Sequence, residues 1–173
     1  MSLAQKMSGL PIFLAYSVVM EEEAAERHDE LADVMDVHNN PEVAATFRKL
    51  AHYSRLHAQE IREQSVDLEL PKIAPWDFEW EDGEPPETAD PGAVDYLMNR
   101  SKALRLAMEN EQRAHDFYAA ISREAPSAEV RELAAEFAAE EQEHLDLLVE
   151  WRKRIPEDEE ETPFDPDPPH MPE

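Results

Sequence analysis

The sequence predicts an all-α fold, a four-helix bundle of two helix pairs joined by a long crossover. No stretch of the 173 residues shows the strict alternation of apolar and polar residues that is typical of a half-buried strand. Apolar residues instead recur at steps of three and four, which places them on one face of a helix. Eleven of the fourteen prolines lie in two acidic segments, so the remaining chain can form long uninterrupted helices.

The first two predicted helices form an antiparallel pair, because a turn of only three residues, 38–40, separates them. Helix A runs from about Pro11 to Val37, and helix B from about Pro41 to Leu70. Each starts at a proline, whose missing amide hydrogen costs nothing in the first turn. The positions expected to face the core are Leu14, Val18, Ala25, Ala32 and Met35 in helix A, and Val43, Phe47, Leu50, Ile61 and Leu68 in helix B.

Residues 71–92 are too long for an ordinary bundle loop and predict a crossover along the bundle. Their aromatic residues are expected to pack on the helices, although tryptophans in an acidic loop can also contact a partner. Helix C then runs from a cap at Asp90 to about Glu124, and helix D from about Ser127 to just before Pro156. The expected crossover anchors are Ile73, Trp76, Phe78 and Trp80, and the inward positions of helix C are Leu97, Leu104, Ala107, Glu111, Ala114, Tyr118 and Ile121.

Charge and composition exclude several classes of function. The net charge of −25 argues against nucleic acid as a partner, and the absence of cysteine excludes disulfides and thiolate metal sites. A net charge of −14 lies in residues 71–92 and 156–173. We interpret residues 1–155 as one domain and residues 156–173 as a solvated, disordered acidic tail. An acidic docking surface is the alternative interpretation of these segments.

The longest apolar run, Leu10 to Met20, is too short to span a bilayer. It leads directly into three glutamates, Glu21 to Glu23, where a signal peptide would have small residues before a cleavage site. The sequence therefore predicts a cytoplasmic protein without a membrane segment.

Polar residues interrupt the apolar face of each predicted helix. In helix D, Glu141 and His144 occupy the two missing steps of the stripe formed by Val130, Ala134, Phe137, Leu148 and Trp151. The other helices have Glu21 and His28, Ser54 and His57, and Glu111 at inward positions. A weak internal repeat aligns helices A and B with helices C and D, and in that alignment Ser54 faces Glu141.

Three carboxylates on buried faces, with no lysine or arginine on the same stripes, would be costly as unpaired charges. Either the acids are protonated through mutual repulsion, or cations lie among them. The inward histidines favour cations, and the carboxylate and imidazole ligands suit iron, manganese or zinc. Helix rotation leaves open whether Glu21 or Glu22 is the helix A ligand.

Four segments, namely residues 21–27, 47–57, 111–118 and 137–144, resemble the ferritin-like di-iron carboxylate superfamily and, within it, the rubrerythrins without their rubredoxin domain. The resemblance extends over residues 11–155. It implies two iron sites, with zinc or manganese able to substitute, and oxidation of ferrous iron by oxygen or peroxide. The implied ligands are Glu21, His57, Glu111, Glu141 and His144, with His28, Ser54 and Tyr118 around them.

Departures from the family pattern shape these expectations. Ser54 stands where the first Glu-x-x-His motif has its glutamate, so one of the two metals is expected to bind weakly. Ala114 stands where rubrerythrins often have a further glutamate, and without cysteine turnover would need an external reductase. The family resemblance also implies a homodimer. Two other functions stay open: a non-enzymatic iron-binding or storage-partner protein, and a metal-free bundle that acts as an interaction module.

Overall fold

The computed structural model describes residues 2–74, 77–80, 85–86 and 98–156. Within these ranges the regular elements are five α-helices, and no β-strand is formed. None of the described helices combines the length and the apolar content needed to cross a bilayer. The helices are α1 (Leu3–Lys6), α2 (Leu10–Val37), α3 (Pro41–Gln64), α4 (Arg100–Glu124) and α5 (Ala128–Arg152).

Helices α2 to α5 are the predicted helices A to D, and they pack as two antiparallel pairs, α2 with α3 and α4 with α5. The α2–α3 turn depends on Asn39, whose φ of 56° lies in the left-handed region that asparagine tolerates. Helix α5 begins with Ser127, whose hydroxyl accepts a hydrogen bond from the Val130 amide at 3.4 Å. The all-α bundle of two helix pairs is thus confirmed.

Helix B ends earlier than predicted. Helix α3 stops at Gln64 rather than Leu70 because Ser65 forms a local turn, in which its hydroxyl donates to the Arg62 carbonyl at 3.0 Å. Leu68 continues the apolar spacing of the helix, but it packs on the core from the turn that follows.

Helix C begins later than predicted. Asn99 is extended and accepts a hydrogen bond from the Lys102 amide at 2.8 Å, which makes it the N-cap of α4. The prediction of a continuous helix from Asp90 is therefore wrong at Met98 and Asn99, which precede the helix. The predicted cap itself and Leu97 lie outside the described residues, as do Trp76 and residues 157–173 of the predicted tail.

Two apolar clusters fill the bundle, one towards each end. The first includes Phe13, Tyr118 and Val130, and the second includes Met35, Phe47 and Leu104. Each long helix contributes to both clusters. In each long helix the polar inward residues lie between the residues of the first cluster and those of the second. The four helices together therefore form one polar layer across the middle of the bundle. The inward positions predicted for the long helices are buried among the described residues, except that His57, Leu68, Phe137 and Trp151 are partly exposed.

The described part of the crossover packs on the first cluster, as its aromatic residues predict. Ile73, Phe78 and Trp80 contact this cluster. The rings of Phe78 and Trp80 lie 4.8 and 4.9 Å from the Tyr16 ring, and the Tyr16 hydroxyl accepts a hydrogen bond from the Glu79 amide at 3.0 Å. The short helix α1, which the sequence pattern did not indicate, buries Leu3 and Ala4 against the same end of the bundle.

Candidate metal centre

Four helices direct polar side chains into the middle layer. Helix α2 contributes Glu21 and His28, α3 contributes Ser54 and His57, α4 contributes Glu111, and α5 contributes Glu141 and His144. All are buried except His57, which is half-buried. The orientation of helix α2 is also settled, because Glu21 faces inward while the exposed Glu22 pairs with Arg62.

Glu111, Glu141 and His144 form the tightest group. Each offers one ligand atom, and these three atoms lie within 4.8 Å of one another. His144 Nδ1 is 3.3 Å from Glu111 Oε2 and 3.3 Å from Glu141 Oε2. Carboxylate and imidazole at this spacing are the donors that iron, manganese and zinc accept.

Glu111 is the most enclosed carboxylate of the site. It is only 1 % exposed, and His28 Nε2 lies 2.9 Å from its Oε1. An imidazole nitrogen lies within ion-pair distance of each oxygen, but within the described residues neither contact has the geometry of a hydrogen bond. Buried carboxylate oxygens without hydrogen bonds call for a further partner, and a cation between Glu111, Glu141 and His144 would supply one.

A second group lies around His57. Its Nδ1 is 3.7 Å from Glu21 Oε1 and 3.6 Å from Glu140 Oε2, so two carboxylates flank one nitrogen. The His57 ring stacks on that of His144 with 5.9 Å between centroids, which joins the two groups.

The two buried glutamates around His144 have pKa values shifted in opposite directions. Burial raises the pKa of Glu141 well above its usual value, and the charges of Glu21 and Glu111 add to this effect. Burial also acts to raise the pKa of Glu111, but His144 and His28 outweigh it and lower that pKa. Burial disfavours the charged form of His144, yet Glu111 and Glu141 raise its pKa to about 11. Near neutral pH, His144 therefore holds a proton, and the environment of Glu141 favours its protonated form.

Metal binding at this group is expected to strengthen as pH rises. Ligand atoms must be deprotonated, and the raised pKa values of Glu141 and His144 mean that protons compete with the metal. The apparent affinity should rise by up to about tenfold per pH unit for each proton displaced. Zinc titrations between about pH 6 and pH 8, with proton release followed in weak buffer, measure this. Equal affinity across the range, without proton release, would contradict the pKa shifts.

Two further side chains lie at the site that the sequence pattern did not indicate. Tyr53 stacks on His144 with 6.2 Å between centroids and nearly parallel rings. Glu140 reaches His57 from helix α5. Its position four residues before His144 was a signal for this, because residues at that spacing share one side of a helix.

The remaining two predicted residues, Ser54 and Tyr118, are both buried. Ser54 is buried on helix α3, one turn before His57. The Tyr118 ring packs in an aromatic cluster, with its centroid 6.0, 5.2 and 5.3 Å from those of Phe13, Phe117 and Phe137.

Comparisons with known proteins agree with this architecture. The family model described as Rubrerythrin matches residues 13–87 and 102–168. The crystal structure of an uncharacterised conserved protein from Magnetospirillum magnetotacticum MS-1 is similar, with 43 % sequence identity and a TM-score of 0.71. That alignment covers 86 % of this chain and 96 % of the other chain. No curated protein matches the chain significantly.

Proposed function

This chain belongs to the rubrerythrin family, and on that premise we propose that its bundle core binds iron and that the protein oxidises ferrous iron with oxygen or peroxide. One observation carries the proposal: Glu111, Glu141 and His144 place three ligand atoms within 4.8 Å of one another. All three residues are buried. No lysine or arginine in the described ranges forms an ion pair with these two carboxylates.

The protein would bind the metal and shield it from solvent. Glu111 and Glu141 supply negative charge that offsets a cation, and His144 supplies a neutral nitrogen once its proton has left. The rings of Tyr53 and His57 both stack on the His144 ring and restrict its orientation. His28 contacts Glu111 from the other side and restricts its orientation. When bound, iron would supply the redox chemistry, by giving an electron to oxygen or peroxide.

Burial of the ligands limits contact with water. Glu111 and Glu141 are almost fully enclosed between the two apolar clusters, so a bound cation would be shielded from bulk solvent and from other reductants. Since the chain has no cysteine to relay electrons, repeated turnover would require an external reductase.

The proposal is tested by adding ferrous iron to the metal-free protein under oxygen and following ferric absorbance and oxygen consumption. We expect oxidation faster than in buffer, with a stoichiometry set by the protein. Tight iron binding without faster oxidation would instead indicate a storage or delivery protein. Absence of binding to iron, zinc and manganese would overturn the proposal.

Replacing Ser54 with glutamate is expected to strengthen binding of the second metal. A carboxylate one turn before His57 would complete the first Glu-x-x-His motif, whereas serine offers only a neutral hydroxyl. We expect the affinity for the second equivalent to rise by roughly tenfold or more, since even partners outside the ligand shell change metal affinity by 10–100-fold. Calorimetric titration measures this change.

The matched control is Ser54→Gln, which has the same size without the charge. It should bind the second metal no better than the native protein does. Two equally tight sites in the native protein, with no gain from Ser54→Glu, would show that another residue already supplies the carboxylate.

A further inference from the structure

We propose that Glu140 completes a second metal position with Glu21 and His57, in place of the carboxylate that Ser54 does not provide. The inference deepens the proposed function and rests on it. It assigns to this chain a ligand that comes from helix α5, although in the family pattern the corresponding glutamate comes from the helix that carries His57, here α3.

The geometry around His57 points to this position. Its Nδ1 lies 3.6 Å from Glu140 Oε2 and 3.7 Å from Glu21 Oε1, so three helices meet at one nitrogen. That nitrogen is buried and forms no hydrogen bond with the described residues. Since buried polar atoms are nearly always partnered, an ion between the nitrogen and its two carboxylates would give the nitrogen a partner.

The charge balance agrees with the geometry. Glu21 is 3 % exposed, and no lysine or arginine in the described part of the chain forms an ion pair with it or with Glu140. Two carboxylates that lie on one imidazole without a lysine or arginine partner would both be stabilised as anions by a divalent cation.

Helix geometry explains why Glu140 can take this role. Glu140 precedes His144 by four residues and Glu141 precedes it by three, so both lie on the turn before His144 but point to different sides of it. Glu141 faces the Glu111 group, and Glu140 faces His57 on helix α3. One turn of α5 thus serves both groups.

The second position lies nearer to the surface than the first. The side chains of Glu140 and His57 are 44 % and 22 % exposed, whereas those of Glu111 and Glu141 are 1 % and 2 % exposed. Water reaches a half-exposed carboxylate more easily, so it competes more strongly for a metal that this carboxylate helps to hold. We therefore expect the second metal to bind more weakly and to exchange faster than the first.

The test is titration of the metal-free full chain with cobalt(II), followed by calorimetry and by visible absorption, which reports the ligand set. The native protein should bind one tight and one weaker equivalent. In Glu140→Gln the tight equivalent should remain, and the affinity for the weaker one should fall by roughly tenfold or more. The matched control is Glu136→Gln, an exposed glutamate one turn earlier on α5, which should behave as the native protein does.

A double variant adds a rescue test. Ser54→Glu introduced into Glu140→Gln should restore the second equivalent, because it returns a carboxylate to the same metal from α3. Circular dichroism checks that each variant folds.

The outcomes separate the inference from the proposed function. Native binding of two equivalents that Glu140→Gln leaves unchanged, or native binding of one equivalent only, would overturn the Glu140 assignment and leave the proposed iron function standing. Failure of the native protein to bind iron, zinc, manganese or cobalt would overturn both.

Discussion

Replacing His144 with alanine is expected to abolish binding of at least one metal equivalent. His144 is the one nitrogen in the group with Glu111 and Glu141, and it lies 3.3 Å from a carboxylate oxygen of each. Its loss leaves two buried acids with no neutral ligand between them, and an alanine side chain cannot coordinate. Metal analysis of protein purified without chelator, followed by calorimetric titration, measures the effect.

The same change should remove the stabilisation that metal provides. A ligand bound only by the folded state raises the free energy of unfolding by about 2.7 kcal/mol at roughly 100 times its dissociation constant. Chelator should therefore lower the melting temperature of the native protein and change that of His144→Ala much less. His52→Ala is the control, because His52 is exposed on helix α3. An unchanged metal content in His144→Ala would refute the assignment of this group.

Replacing Phe47 with alanine is expected to produce the largest loss of folding stability of the changes considered. Phe47 is fully buried in the second apolar cluster, and its ring stacks at 6.3 Å on that of His28. Removing it leaves a cavity between two helices that can close only in part, at a cost of about 3–5 kcal/mol. Urea unfolding of the chelator-treated protein isolates this cost from metal binding.

The matched control for Phe47 lies on the same helix. Leu56 is 38 % exposed, so Leu56→Ala should change the free energy of unfolding by no more than about 0.5 kcal/mol. A loss as large in Leu56→Ala as in Phe47→Ala would mean that burial in the second cluster does not set the cost, because alanine is the better helix former in both variants. A small loss in both would place the second cluster outside the stability-determining core.

The sequence alone determined the helices and the faces that they bury. Prolines, caps and periodic apolar residues are local signals, and they predicted both ends of α2 and the start of α5 to within one residue, whereas α5 ends at Arg152, three residues before the predicted end. The inward direction of Glu141 and His144 followed in the same way, because both fill missing steps in an apolar stripe. The predicted end of helix B and start of helix C were wrong, and the cause lies at Ser65 and Asn99. There a side chain forms a hydrogen bond with the backbone and sets the end of the helix, which the periodicity of apolar residues does not predict.

Only the tertiary structure decided how the polar residues are grouped. Periodicity states which residues face inward, but it does not state the rotation and height of each helix relative to its neighbours, and these set distances between side chains. Packing therefore determined that Glu111 lies with Glu141 and His144, while Glu21 lies with His57. Glu140 is outside the stripe of α5 and still reaches His57, because the α3 side chain approaches the flank of α5. A contact between helices distant in the chain depends on how the apolar clusters above and below the layer fill space, and no spacing within one helix specifies it.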